Sequence, residues 1–126
     1  MLSMVKSIAL HGLQGYLVHI QVDVSSGMPS FEIVGLPDAS IRESKERVKT
    51  AIKNSTSEFL SRKIVVNLAP ANTRKEGSIF DLPIALGILI ANGDIDSSFL
   101  DDILDILNYN YIINLRIYLL SFMCRI

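Results

Sequence analysis

The sequence has a single cysteine, Cys124, in 126 residues. An internal disulfide is excluded, which fits a protein of a reducing cytoplasm. Charge of one sign is lacking as well. Twelve Lys and Arg oppose 13 Asp and Glu, for a formal net charge of −1, and such a balance exerts no global pull on nucleic acid or on a membrane surface. Long apolar runs are missing. Those at 82–91 and 111–124 are too short to span a bilayer, and Arg116 interrupts the second. Lys6 is followed by no long apolar core and no small-residue cleavage site, so no signal peptide is expected. No run of spaced glycines ends in Lys followed by Ser or Thr. The loop that cradles nucleotide phosphates is therefore not expected here, nor is a bound nucleotide. Histidine is scarce. His11 and His19 with Asp23 are the one grouping that could ligate a metal, and no third strong ligand clusters with them, so no metal is expected.

What is present is a globular composition. Hydrophobic residues make up 49% and charged residues 20%, in a chain long enough to bury a core as one domain. The charge is unevenly placed: residues 1–93 carry ten cations and eight acids, residues 94–126 two and five. Any basic surface must come from the first part.

Leu17 to Val24, LVHIQVDV, alternates. Leu17, His19, Gln21 and Asp23 face one way and Val18, Ile20, Val22 and Val24 the other, as in a half-buried strand. Residues 4–10 form a weaker strand pattern, and His11 to Gly15 reads as the turn of a hairpin. After the turn chemistry of Ser25 to Pro29, Phe31, Ile33 and more loosely Leu36 keep strand spacing. Lys63 to Leu68 is a β-branched run, Ala69 to Ser78 a long loop, and Asp81 to Asn92 an apolar helix that Gly93 stops and in whose first turn Pro83 is tolerated. The predicted core groups Ile33, Val48, Ile52, Val65, Leu68, Ile84, Leu86 and Leu89. The order β-β-β-α-β-α predicts an α+β fold, a mixed sheet with helices packed on one face.

The stretch Ile33 to Ile52, IVGLPDASIRESKERVKTAI, joins a strand to a helix through Gly35, Leu36, Pro37 and Asp38. Gly35 permits the turn, Pro37 ends strand pairing, and either Asp38 or Ser40, the latter with Glu43 in a capping box, can start the helix. Ile41, Lys45, Val48 and Ile52 share one helix face, with Ala51 beside it. Arg42 with Glu46, and Glu43 with Arg47, stand at ion-pair spacing. The cations Arg42, Lys45, Lys49, Arg62, Lys63, Arg74 and Lys75 read either as solvated charge or as a contact for DNA or another subunit. No aromatic side chain interleaves the pairs 62–63 and 74–75, so a DNA contact would be weak, non-specific phosphate neutralisation.

The segments PSFEIVGLPDASIRESKERVKTAI and VNLAPANTRKEGSIFDLPIALGIL, with the opening SIALHGLQGYLVHIQVDVSSG, resemble the N-terminal domain of magnesium-chelatase-like AAA+ proteins of the ComM/YifB type. The resemblance covers about residues 4–96. Gly35, Pro37, Asp38, Gly77, Asp81 and Pro83 fall on its signature positions as structural residues. It implies a fold similar to the proteolytic domain of Lon. The turn Gly77-Ser78-Ile79-Phe80-Asp81 then places Ile79 where Lon-type proteases carry the nucleophile, with Ser78 one position early, and the partner lysine would fall beyond residue 96, where the resemblance ends. A non-catalytic domain is expected, with a stand-alone interaction module and a degenerate serine peptidase as the alternatives. Whole family members add an ATPase module, to which ATP and magnesium would belong, and the ComM type is implicated in DNA branch migration during natural transformation. The expectation for this chain is an N-terminal domain, 1–96, incomplete at its C-terminus and without that module. Residues 97–126 read as a divergent apolar tail: translation past a frameshift in an A/T-rich gene, or a helical end to the domain. Such a tail would favour homo-oligomers.

Overall fold

The computed structural model describes residues 2–11, 14–55, 61–75 and 79–98. The elements are β1 (Leu2–His11), β2 (Gln14–Ser25), β3 (Ser30–Val34), α1 (Ala39–Ser55), β4 (Lys63–Ala69) and α2 (Asp81–Ala91). The strands form one mixed sheet in the order β1-β2-β4-β3. β2 pairs antiparallel with β1 and β4, and β3 runs parallel to β4. The fold is α+β, as the element order predicts. The β1–β2 ladder extends from Leu2↔Asp23 to His11↔Gln14, so both strands are longer, and the hairpin tighter, than the sequence pattern indicates.

The alternation in β2 is realised as read: Val18, Ile20, Val22 and Val24 are buried. Ile64, Val66 and Leu68 of β4, Ile33 of β3, and Val5 and Ala9 of β1 join them in one cluster with residues of both helices. Fully burying a valine, leucine or isoleucine of this cluster contributes about 1.5–3 kcal/mol. One expected core residue is corrected. Val65 stands an odd number of residues from Leu68, and side chains on a strand share a face only at even spacing. Val65 therefore lies on the opposite face, in register with Asp23 and Glu32. The other expected core positions are buried, although Leu86 does not join the main cluster.

All eleven residues of α2 are buried, as a helix apolar all round requires. Gly87 lets it approach the sheet: a Cβ there would lie 2.6 Å from Val22 Cγ2. The Ser3 hydroxyl donates to the Gly87 carbonyl across that contact at 2.6 Å. In α1 the buried stripe is Ile41, Ser44, Val48, Ala51 and Ile52. Lys45, which the sequence places on this stripe, sits at its edge with Nζ 3.7 Å from Glu32 Oε2 of β3. The inward position belongs to Ser44, whose hydroxyl is satisfied by the Ile41 carbonyl. No described helix is long and apolar enough to cross a membrane.

Candidate functional site: the strand-to-helix junction

Because β3 and β4 are parallel neighbours, the chain leaving Val34 must return along α1 to reach Lys63. The turn that begins this return is tight. Gly35 has φ 100°, and a Cβ on it would stand 2.2 Å from the Leu68 carbonyl oxygen. Leu36 follows at φ 56° and lies outside the strand, contrary to its loose strand spacing. A branched residue in this left-handed region costs on the order of 1–3 kcal/mol unless its surroundings hold it there. Asp38 Oδ1 accepts the Ile41 amide at 2.8 Å, so α1 begins at Ala39 under an Asp38 cap. Of the two helix starts open in the sequence, the capping box at Ser40 is not the one used.

Lys75 holds the turn in place. Its amide donates to the Leu36 carbonyl at 3.1 Å and its carbonyl accepts the Asp38 amide at 3.0 Å, which makes a parallel bridge with Pro37. Its ammonium donates to the Gly35 carbonyl at 2.9 Å and to the Pro70 carbonyl. The residue is 0% exposed. Lys75 is therefore corrected from a surface cation to an internal tie, its ammonium bonded to two neutral carbonyls within the fold. Nothing in the sequence sets it apart from Arg74, which is exposed. A long-range bridge between residues 37 and 75 decides which of the two neighbours turns inward.

Burial lowers the Lys75 pKa from the ordinary lysine value. The unfolded chain then takes up this proton more readily than the folded one. Folding stability is expected to rise as pH climbs toward the ordinary lysine pKa, and this gain is lost as pH falls through the lowered folded value. Lys75→Met should remove that slope. Denaturant midpoints at about pH 8 and about pH 10 for both proteins check it, and parallel profiles would show that the ammonium is not desolvated.

A second clamp lies beside the first. Arg47 of α1 reaches the first residue of α2: Nε donates to Asp81 Oδ2 at 2.6 Å and Nη2 to Asp81 Oδ1 at 3.2 Å. The same Nη2 donates to the Ser40 carbonyl at 2.9 Å. Asp81 is buried, and its hydrogen bond raises the Arg47 pKa further. The expected pair of Glu43 with Arg47 is also present, at 3.9 Å. The sequence marks Asp81 only as the first residue of the apolar helix and a signature position of the resemblance. Its partner lies 34 positions away, beyond any local pattern.

The cations predicted as a contact surface do not form one group. The parallel β3-α1-β4 connection places the start of α1, and Arg42 with it, at the junction end of the sheet, where Arg74 also lies. It carries Lys49 and Lys53, near the end of α1, toward Arg62 and Lys63 at the opposite end, where the Ser30 amide meets the Arg62 carbonyl. Lys53 belongs to that second set, and the sequence reading missed it. Lys45 is paired with Glu32, and Lys49 also has an interaction partner.

His19 pairs in register with Lys6, five residues along β2 from the Gln14 that faces His11. Its Nδ1 lies 3.4 Å from Met4 Sδ. No group of three metal-ligating side chains occurs among the described residues. Gly77 and Ser78, with the tail from Phe99 onward, lie outside the described residues. Pro83 falls in the first turn of α2, as expected.

Comparison with known proteins gives a family match over residues 20–106, described as subunit ChlI of Mg-chelatase. The chain is similar to the competence protein ComM of Haemophilus influenzae, 46% identical over 99 residues that make up 79% of this chain and 19% of that protein. It is also similar to the protein YifB of Escherichia coli, 40% identical over 101 residues, 80% of this chain and 20% of that one. The chain thus spans about a fifth of the length of these relatives.

Proposed function

The chain belongs to the family of subunit ChlI of Mg-chelatase, and from that premise we propose that it works as a non-catalytic N-terminal domain of a ComM/YifB-type protein, with a weak contact to DNA phosphates. The observation that carries the reading is the extent of the likeness: 79% of this chain aligns with 19% of a protein named for competence. The sequence supports it by holding no glycine-lysine step for nucleotide phosphates. ATP turnover, with its magnesium, is then work for the rest of such a protein, and DNA processing during transformation is the setting in which this domain acts. A cytoplasmic location goes with that setting.

Of the two basic ends, the one bearing Lys49, Lys53, Arg62 and Lys63 is the better phosphate contact. It gathers four cations, whereas the junction end exposes Arg42 and Arg74 and keeps Lys75 inside. Affinity for duplex DNA is expected at roughly 10⁻⁴ to 10⁻⁶ M, falling steeply with salt. The double variant Arg62→Glu, Lys63→Glu should flatten the slope of log affinity against log salt by about 1.8, the share of two phosphate contacts. Fluorescence anisotropy with labelled duplex between low and physiological salt measures this. An unchanged slope would remove these residues from any DNA contact, and no binding at low salt would sink the DNA reading altogether.

A further inference from the structure

Leu36 is an apolar side chain held outward at a conformational cost. It is 53% exposed and sits at φ 56°, a region that glycine and asparagine enter far more easily than leucine. The backbone makes the turn, but the side chain adds nothing to the core: the residue is outside β3, outside α1 and absent from the core cluster. Yet the backbone on both sides of it is fixed. Gly35 is pressed against Leu68 and bonded to the Lys75 ammonium; the Leu36 carbonyl takes the Lys75 amide; and Asp38 is tied to the Lys75 carbonyl and caps α1. The turn is thus a rigid mount whose tip is a strained, water-facing leucine. Backbone strain that persists because its surroundings enforce it gathers at sites of function. A few residues that fill pockets on the partner carry most of the binding energy of a protein interface.

We propose that Leu36 is the anchor of a docking surface at the junction end of the sheet, and that its occupant is the remainder of the same ComM/YifB-type protein. The length of the relatives points to that occupant: they are about five times as long as the segment they share with this chain. Ile79, 37% exposed just ahead of α2, lies at the same end, because Asp81 is bound to Arg47 and through it to the first turn of α1. Exposed Arg42 and Arg74 flank the turn. The complementary surface is therefore an apolar pocket with an acidic rim. This proposal rests on the reading of the chain as an N-terminal domain, and not on the DNA contact.

The test uses the full 126-residue chain and, as probe, the Haemophilus influenzae ComM protein without its matching N-terminal region, with calorimetry as the readout. Leu36→Asn is the decisive variant, since asparagine accepts the left-handed backbone. The chain should bind the probe, and Leu36→Asn should weaken binding by about 30-fold, as loss of an interface anchor does, while its melting temperature stays level or rises. A fall in melting temperature would mean that Leu36 packs within its own fold and would overturn the proposal. Equal affinity of the two proteins would remove Leu36 as the anchor while leaving the N-terminal-domain reading intact. No binding by the native chain would overturn the docking surface and leave the N-terminal-domain reading, which rests on the sequence match, in place.

Discussion

Gly35→Ala is expected to destabilise the fold by about 2–6 kcal/mol, the joint cost of a strained left-handed residue and of an overpacked contact. The methyl group would have to occupy a point 2.2 Å from the Leu68 carbonyl oxygen, 2.9 Å from its carbon and 2.9 Å from its nitrogen. Those are backbone atoms of the central strand β4, bonded to β2 on one side and to β3 on the other, so they cannot step aside without breaking the ladder. The turn cannot retreat either, since Lys75 binds the Gly35 carbonyl and brackets the next residues. Gly27→Ala is the control. Gly27 also has positive φ, 144°, but nothing lies within 4 Å of the added carbon. Chemical denaturation of the two variants separates backbone strain from collision. Equal losses would mean that the close approach of the turn to β4 is looser than the geometry indicates.

Arg47→Met should cost about 3 kcal/mol, the low end of the range for breaking a buried pair, because Arg47 itself is partly in water. The asymmetry matters more than the size. Arg47 has a side chain 31% exposed and Asp81 one of 8%. Removing the arginine takes both guanidinium donors from a buried carboxylate. The double variant Arg47→Met, Asp81→Leu withdraws that stranded charge and should regain most of the loss, since an apolar pair can replace a buried ion pair at little cost. A double variant as unstable as the single one would show that the pair acts through the Ser40 carbonyl contact or through helix packing rather than through charge.

Both predictions concern tertiary ties, and the sequence revealed only their endpoints. Asp81 and Arg47 were each legible as helix-terminal or helix-surface charges, with Glu43 as the nearest partner for the arginine. Coulomb pairing across 34 positions needs the two helices placed against one another first. Lys75 was read with Arg74 as one basic step. Adjacent residues in an extended segment point to opposite sides, and sequence alone does not say which side is the interior. The same ambiguity of parity misplaced Val65.

What the sequence by itself determined is the set of local decisions. Period-two alternation placed the inward valines of β2, an unbroken apolar run made α2 a fully buried helix, and glycine, proline and aspartate wrote the turn between β3 and α1. These are short-range effects of sterics and hydrophobicity, and they give the α+β element order without reference to neighbours. The tertiary structure decided what the order leaves open. It inserted β4 between β2 and β3, divided the basic residues between the two ends of the sheet, drew Lys75 inside to two carbonyls, and left Leu36 outside in a strained turn. Those outcomes depend on which distant backbone groups must be satisfied once the core has closed. A chain has no means of stating that locally, because each such tie joins residues whose proximity exists only after folding.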